Sequence, residues 1–124
     1  MGSDYDDVKD EEFLRPLGGS VEFGETALEA VRREMREELH ADISEPVQLG
    51  VLENIFTCRG ESGHEVVAVF DAQLVDRTLY DMERVPLHEE LRGTEAHWID
   101  LSDPPEMPLY PDGLLDLLRA KAPA

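Results

Sequence analysis

The stretch "GGSVEFGETALEAVRREMREELHA", residues 18–41, decides how the chain is read. It opens as a glycine turn and runs into a helix. Thr26 to Leu39 contains no Gly or Pro, and Ala27, Leu28, Ala30, Met35 and the Glu and Arg residues are good helix formers. Leu28, Val31, Met35 and Leu39 recur at helical spacing and make one apolar stripe. Each helical residue turns about 100°, so Glu37 and Glu38 lie about 60° to one side of Glu34 and about 40° to the other. The three carboxylates share a face, and that face borders the apolar stripe. Glu29, Arg32, Arg33 and Arg36 take the remaining side. Helix energetics alone demand no function here. Glu29–Arg33 and Arg33–Glu37 have ion-pair spacing, and a like-charge pair such as Glu34–Glu38 costs only about 0.2–0.5 kcal/mol.

The spacing says more. From Gly19 the chain reads Gly, five residues, Glu25, seven residues, Arg33-Glu34-Met35, one residue, Glu37-Glu38. Independent placement of these residue types gives that match in about 10⁻⁴ of chains of this composition. The pattern resembles the Nudix box, the signature of the Nudix hydrolase family. The box expects a glycine and an aliphatic residue where this chain has His40-Ala41. Histidine is among the non-glycine residues that tolerate the left-handed conformation common at a helix end, so this departure bears on stability before chemistry.

The resemblance implies a role for each piece. The Gly18-Gly19 turn lets backbone approach a metal or phosphate where a Cβ would interfere. The family equivalents of Glu25 and Arg33 form a structural pair bracing loop against helix. Those of Glu34, Glu37 and Glu38 bind Mg²⁺ or Mn²⁺ and supply the catalytic carboxylates, with Gly19 among the residues at the metal. All-oxygen donors suit a hard cation. The implied activity is metal-dependent hydrolysis of a pyrophosphate bond in a nucleoside diphosphate linked to another group X. The implied fold is α+β, a Nudix-type α/β/α sandwich with a mixed sheet. The family carries a strand and hairpin before its glycine turn, and only 18 residues precede Gly19 here. The fold is therefore expected to be truncated at its N-terminus, with an exposed sheet edge that invites a homodimer.

Composition narrows the partners. The chain has 124 residues, enough for one domain. Its formal net charge is −18, with 29 Asp and Glu against 11 Lys and Arg, which argues against a nucleic-acid scaffold or an anionic membrane as partner. A polyphosphate substrate would also be repelled unless a metal intervened. The one cysteine, Cys58, allows no internal disulfide and points to a cytoplasmic setting. There is neither a membrane-length apolar run nor a signal-peptide pattern.

Working outward, residues 1–12 read as an acidic, loose arm and 13–121 as a single domain. "VQLGVLENIF" (47–56) and "EVVAVFDAQLV" (65–75) read as an antiparallel hairpin turning through "RGESG" (59–63). Residues 76–93 read as an irregular, charged excursion, "AHWIDL" (96–101) as a strand, and "SDPPEMP" (102–108) as irregular. "PDGLLDLLRA" (111–120) reads as a closing helix with its leucines inward.

Glu89, Glu90 and Glu95 are candidates for an additional metal ligand or base, because family members often recruit one from a later loop. The ordinary reading is a solvated acidic loop. Arg15 and Arg59 are candidate substrate contacts in a chain poor in cations. His64 reads as a surface turn residue, Trp98 as core with its indole N–H bonded, and Cys58 as a small hydrophobe. The rival to the hydrolase reading is a catalytically silent Nudix-fold module binding a nucleotide or a protein. A third reading is an acidic cation-binding domain without nucleotide selectivity.

Overall fold

The computed structural model describes residues 1–6, 11–88, 95–103 and 106–121. The architecture of these residues is α+β, with two helices and two antiparallel sheets among them. A four-stranded sheet has the order β2-β1-β6-β5, built from β1 (Gly2–Asp6), β2 (Glu11–Arg15), β5 (Arg84–Pro86) and β6 (Glu95–His97). A two-stranded ribbon pairs β3 (Ile43–Cys58) with β4 (Glu61–Leu74). A parallel bridge between Leu14 and Leu109 adds residues 108–110 beside β2, where Leu14 N–H donates to the Pro108 carbonyl and Tyr110 N–H to that of Leu14.

The acidic arm and the missing opening strand are corrected by β1 and β2. Gly2 pairs with Arg15 and Asp6 with Glu11, a hairpin that runs up to the glycine turn. An antiparallel ladder is made by backbone groups, so acidity does not forbid it. The hairpin is anchored at its second strand, where Phe13 and Leu14 are buried and the Phe13 ring meets Tyr110 edge-on at 5.4 Å.

Helix α1 spans Ala27–Leu39, as the glycine turn and propensities require. Thr26 caps it in a reciprocal box: Glu29 N–H donates to Thr26 Oγ1 at 3.1 Å, and Thr26 N–H to Glu29 Oε1 at 3.2 Å. The buried face is Ala30, Glu34, Met35 and Glu38. That corrects the expected stripe, since Leu28 is exposed and Val31 and Leu39 are half-buried. Two of the three carboxylates are thus inside the packed face rather than along its border.

The main core lies where α1 ends. Ala41, Leu79, Val85 and Ala96 are buried together, with Leu17, Leu39, Leu74 and Leu87 around them. Residues 76–93, expected to be irregular, contribute a 3-10 turn (Arg77–Asp81) and β5 to this core. Trp98 lies just past the three-residue β6 and is half exposed, stacking on Tyr80 at 5.0 Å. The core reading for it fails because so short a strand does not carry position 98 inward; its indole N–H still donates to the Leu79 carbonyl.

The ribbon is longer than expected and its turn tighter. Cys58 pairs with Glu61, leaving Arg59 and Gly60 at φ 53° and 81°, the two-residue turn whose twist matches a hairpin. Helix α2 (Leu114–Lys121) covers one ribbon face, with Leu117 against Gly50, and its Leu114 is fully buried. Val51, Ile55 and Val66 on the other face are exposed. Among the described residues no helix is long and apolar enough to cross a membrane.

Candidate active site

The glycine turn and the buried face of α1 meet. Gly18 has φ 146°, a conformation side chains rarely adopt, and its N–H donates to Glu38 Oε2 at 3.1 Å. Gly19 lies so close to α1 that a Cβ there would sit 2.4 Å from Glu34 Oε1. The two glycines therefore do different work. The first makes the turn, and the second leaves the space that Glu34 fills.

Arg33 organises the acidic side. Its Nε and Nη2 donate to both oxygens of Glu25, at 2.8 and 3.0 Å. This bidentate pair has the geometry in which a guanidinium matches a carboxylate. Nη2 also donates to the Ser20 carbonyl at 2.9 Å, so the pair ties the loop to the helix. Nη1 donates to Glu34 Oε1 at 2.9 Å and Glu37 Oε2 at 3.2 Å, and Glu22 lies 3.7 Å away. The Arg33 hydrogen bonds hold the Glu25 carboxyl below its ordinary value of 4.5, helped by the N–H of Glu22. Glu25 in turn raises Arg33, with Glu34 and Glu37 adding to the effect and partial burial opposing it.

The three helix carboxylates differ in setting. Glu34 is 7% exposed and Glu38 2%, whereas Glu37 is exposed. Burying carboxylates is costly unless donors or cations satisfy them. Here Arg33 serves Glu34, and the Gly18 N–H serves Glu38. The donor chemistry fits a hard cation: every donor is a carboxylate oxygen, and Glu34 and Glu37 already converge on one positive charge at Arg33. As placed, no three His, Cys, Asp or Glu side chains among the described residues are grouped to hold a metal.

The structure thus brings Gly18, Gly19, Glu25, Arg33, Glu34, Glu37 and Glu38 together. Glu95 is on β6, its carboxylate paired with Arg84 at 3.6 Å. Glu89 and Glu90 lie outside the described residues. Arg15 ends β2, three residues before Gly18, and Arg59 is at the tip turn of the ribbon. His64 faces out of the ribbon, paired with Ile55. Three partners escaped the sequence reading. The Ser20 carbonyl and the Gly18 N–H are backbone groups without a residue-type signal. The Thr26–Glu29 box did carry one, in "TALE".

A family model described as NUDIX domain matches residues 7–118. The match spans nearly the whole chain, which belongs to the Nudix family, a family of hydrolases acting on nucleoside diphosphate derivatives. Comparison with curated proteins and with solved structures returned no match.

Proposed function

We propose that this chain hydrolyses a pyrophosphate bond in a nucleoside diphosphate linked to a group X, with Mg²⁺ or Mn²⁺ held by Glu34, Glu37 and Glu38. The observation that carries the reading is the burial of Glu34 and Glu38 against the Gly18-Gly19 turn, where two carboxylates of one helix face are withdrawn from water beside the exposed Glu37. When bound, the cation supplies charge neutralisation of the phosphates and acidification of a water. The chain's own residues supply placement. Arg33 holds Glu34 and Glu37 in fixed directions, Glu25 fixes Arg33, and the Gly18 N–H fixes Glu38. Water adds across the P–O–P bridge, giving a nucleotide and a phosphorylated X. A carboxylate of this set or a later glutamate, from Glu89, Glu90 and Glu95, takes the water's proton. Arg15 and Arg59 are the arginine candidates for a substrate phosphate.

The experiment is phosphorus NMR of nucleoside di- and triphosphates, dinucleoside polyphosphates and nucleotide sugars incubated with the protein and Mg²⁺ or Mn²⁺. Cleavage at a pyrophosphate that EDTA and Glu37→Gln both abolish supports the hydrolase. Absence of turnover by folded protein overturns it. A silent nucleotide- or protein-binding module is then favoured. The same reading takes a homodimer as the assembled form, from the exposed Val51, Ile55 and Val66 on the ribbon, and a cytoplasmic setting, from the lone Cys58. Light scattering of the purified chain tests the dimer.

A further inference from the structure

The box position that departs from glycine has a specific contact. His40 caps α1 in the left-handed conformation, φ 51° and ψ 38°, and its N–H donates to the Arg36 carbonyl at 3.0 Å. Its ring lies flat on that of His88, centroids 3.6 Å apart and planes 10° apart. Beneath that stack, His88 N–H donates to the Glu38 carbonyl at 2.9 Å. Carbonyls in the last turn of a helix lack intrahelical donors, so an outside N–H here is a cap supplied from the end of β5. A glycine at position 40 would adopt the same backbone without strain. It would have no ring to set on His88.

We propose that His40 is a positioning residue: its ring clasps His88 and so holds the β5 exit on the carbonyl of Glu38, fixing the last turn of α1 and with it the Glu38 carboxylate. The left-handed strain of a non-glycine residue is offset by the stack it makes. The clasp acts through a shared backbone group rather than by touching substrate. Its effect on metal binding rests on the reading of Glu38 as a ligand; its effect on the helix end does not.

The test uses the full chain and three variants. His40→Gly relaxes the backbone and removes the ring. His40→Asn tolerates the left-handed conformation without a ring to stack. His88→Phe keeps a ring on His40 and the N–H at position 88. Amide hydrogen exchange at residue 88 reads the clasp, and Mn²⁺ binding followed by electron paramagnetic resonance reads Glu38. In both His40 variants the residue-88 amide should exchange about fivefold faster, the scale of a lost ring pair. Mn²⁺ affinity should fall roughly tenfold, as when an outer support of a ligand is lost. His88→Phe should match the parent protein in both readouts. A His40→Gly protein with parental exchange and parental Mn²⁺ affinity overturns the clasp. If the parent protein binds no Mn²⁺, the ligand reading of Glu38 fails by itself, and exchange at residue 88 still decides whether the clasp exists.

Discussion

The two ends of α1 are held in different ways. At the N-terminal end every partner is close in sequence: Thr26 and Glu29 cap each other, and Glu25 grips Arg33 eight residues on. At the C-terminal end His40 caps locally on Arg36, but the partners of Glu38 are remote. The Glu38 side chain accepts from Gly18, twenty residues back, and the Glu38 carbonyl accepts from His88, past the ribbon in the sequence. The first end combines a cap with an ion pair, and at the second the two contacts of Glu38 come from backbone N–H groups. Local pairs set the helix and its charge balance. Remote backbone contacts aim Glu38, the more deeply buried of the two covered helix carboxylates.

The sharpest way to break this contrast is Glu38→Gln. It preserves shape and a hydrogen bond to Gly18 but removes the charge, so turnover should fall by about 10²–10⁴-fold, the scale of a lost acid–base or ligand group, with little change in melting temperature. Parental kcat would remove Glu38 from the site.

Gly19→Ala comes next. Its Cβ would collide with the Glu34 carboxylate, the free end of a side chain, so the carboxylate moves and the fold survives. Activity should drop by at least tenfold, on the scale of a displaced catalytic group, while the circular dichroism spectrum and melting temperature stay near parental values. Equal loss of both would place the glycine in folding alone.

Glu25→Gln tests the N-terminal end through pH. The folded Glu25 carboxyl sits below its ordinary value of 4.5, so its contribution to stability is complete above that value and is lost as pH falls through the lower, folded one. The parent should therefore be more stable than Glu25→Gln at neutral pH, with the gap closing only below pH 4.5. Thermal melts across that range check it; a gap independent of pH would mean that the charge is not what braces the loop.

The smallest effect is Thr26→Ala, which removes the cap oxygen and should cost about 1 kcal/mol of stability by denaturant titration without altering turnover. Loss of activity there would show the two ends to be coupled.

Much of this site was legible in the sequence because its parts sit on one helix. A fixed turn per residue places Glu34, Glu37 and Glu38 on one face whatever surrounds them. Their burial was not legible. Apolar residues were expected inside, yet Leu28 is exposed while Glu34 and Glu38 are covered, because the glycine turn packs on their side of α1. The β1–β2 hairpin was missed for a related reason. Side-chain acidity suggested an arm, and the ladder is written in backbone groups that all residues but proline share. The β3–β4 pairing was legible from two segments rich in Val, Ile, Leu and Phe around a turn, although its two-residue turn depends on Arg59 adopting positive φ.

By itself the sequence determined the helix and its carboxylate face, since both depend on residues a few positions apart along one rigid element, while the Glu25–Arg33 brace was implied by the resemblance to a family pattern. Only the tertiary structure decided which carboxylates lose their water, that Gly18 holds Glu38, and that His40 finds a ring at position 88. Those contacts join segments with no fixed spacing along the chain, and they form through packing and backbone hydrogen bonds that carry no residue-type signature.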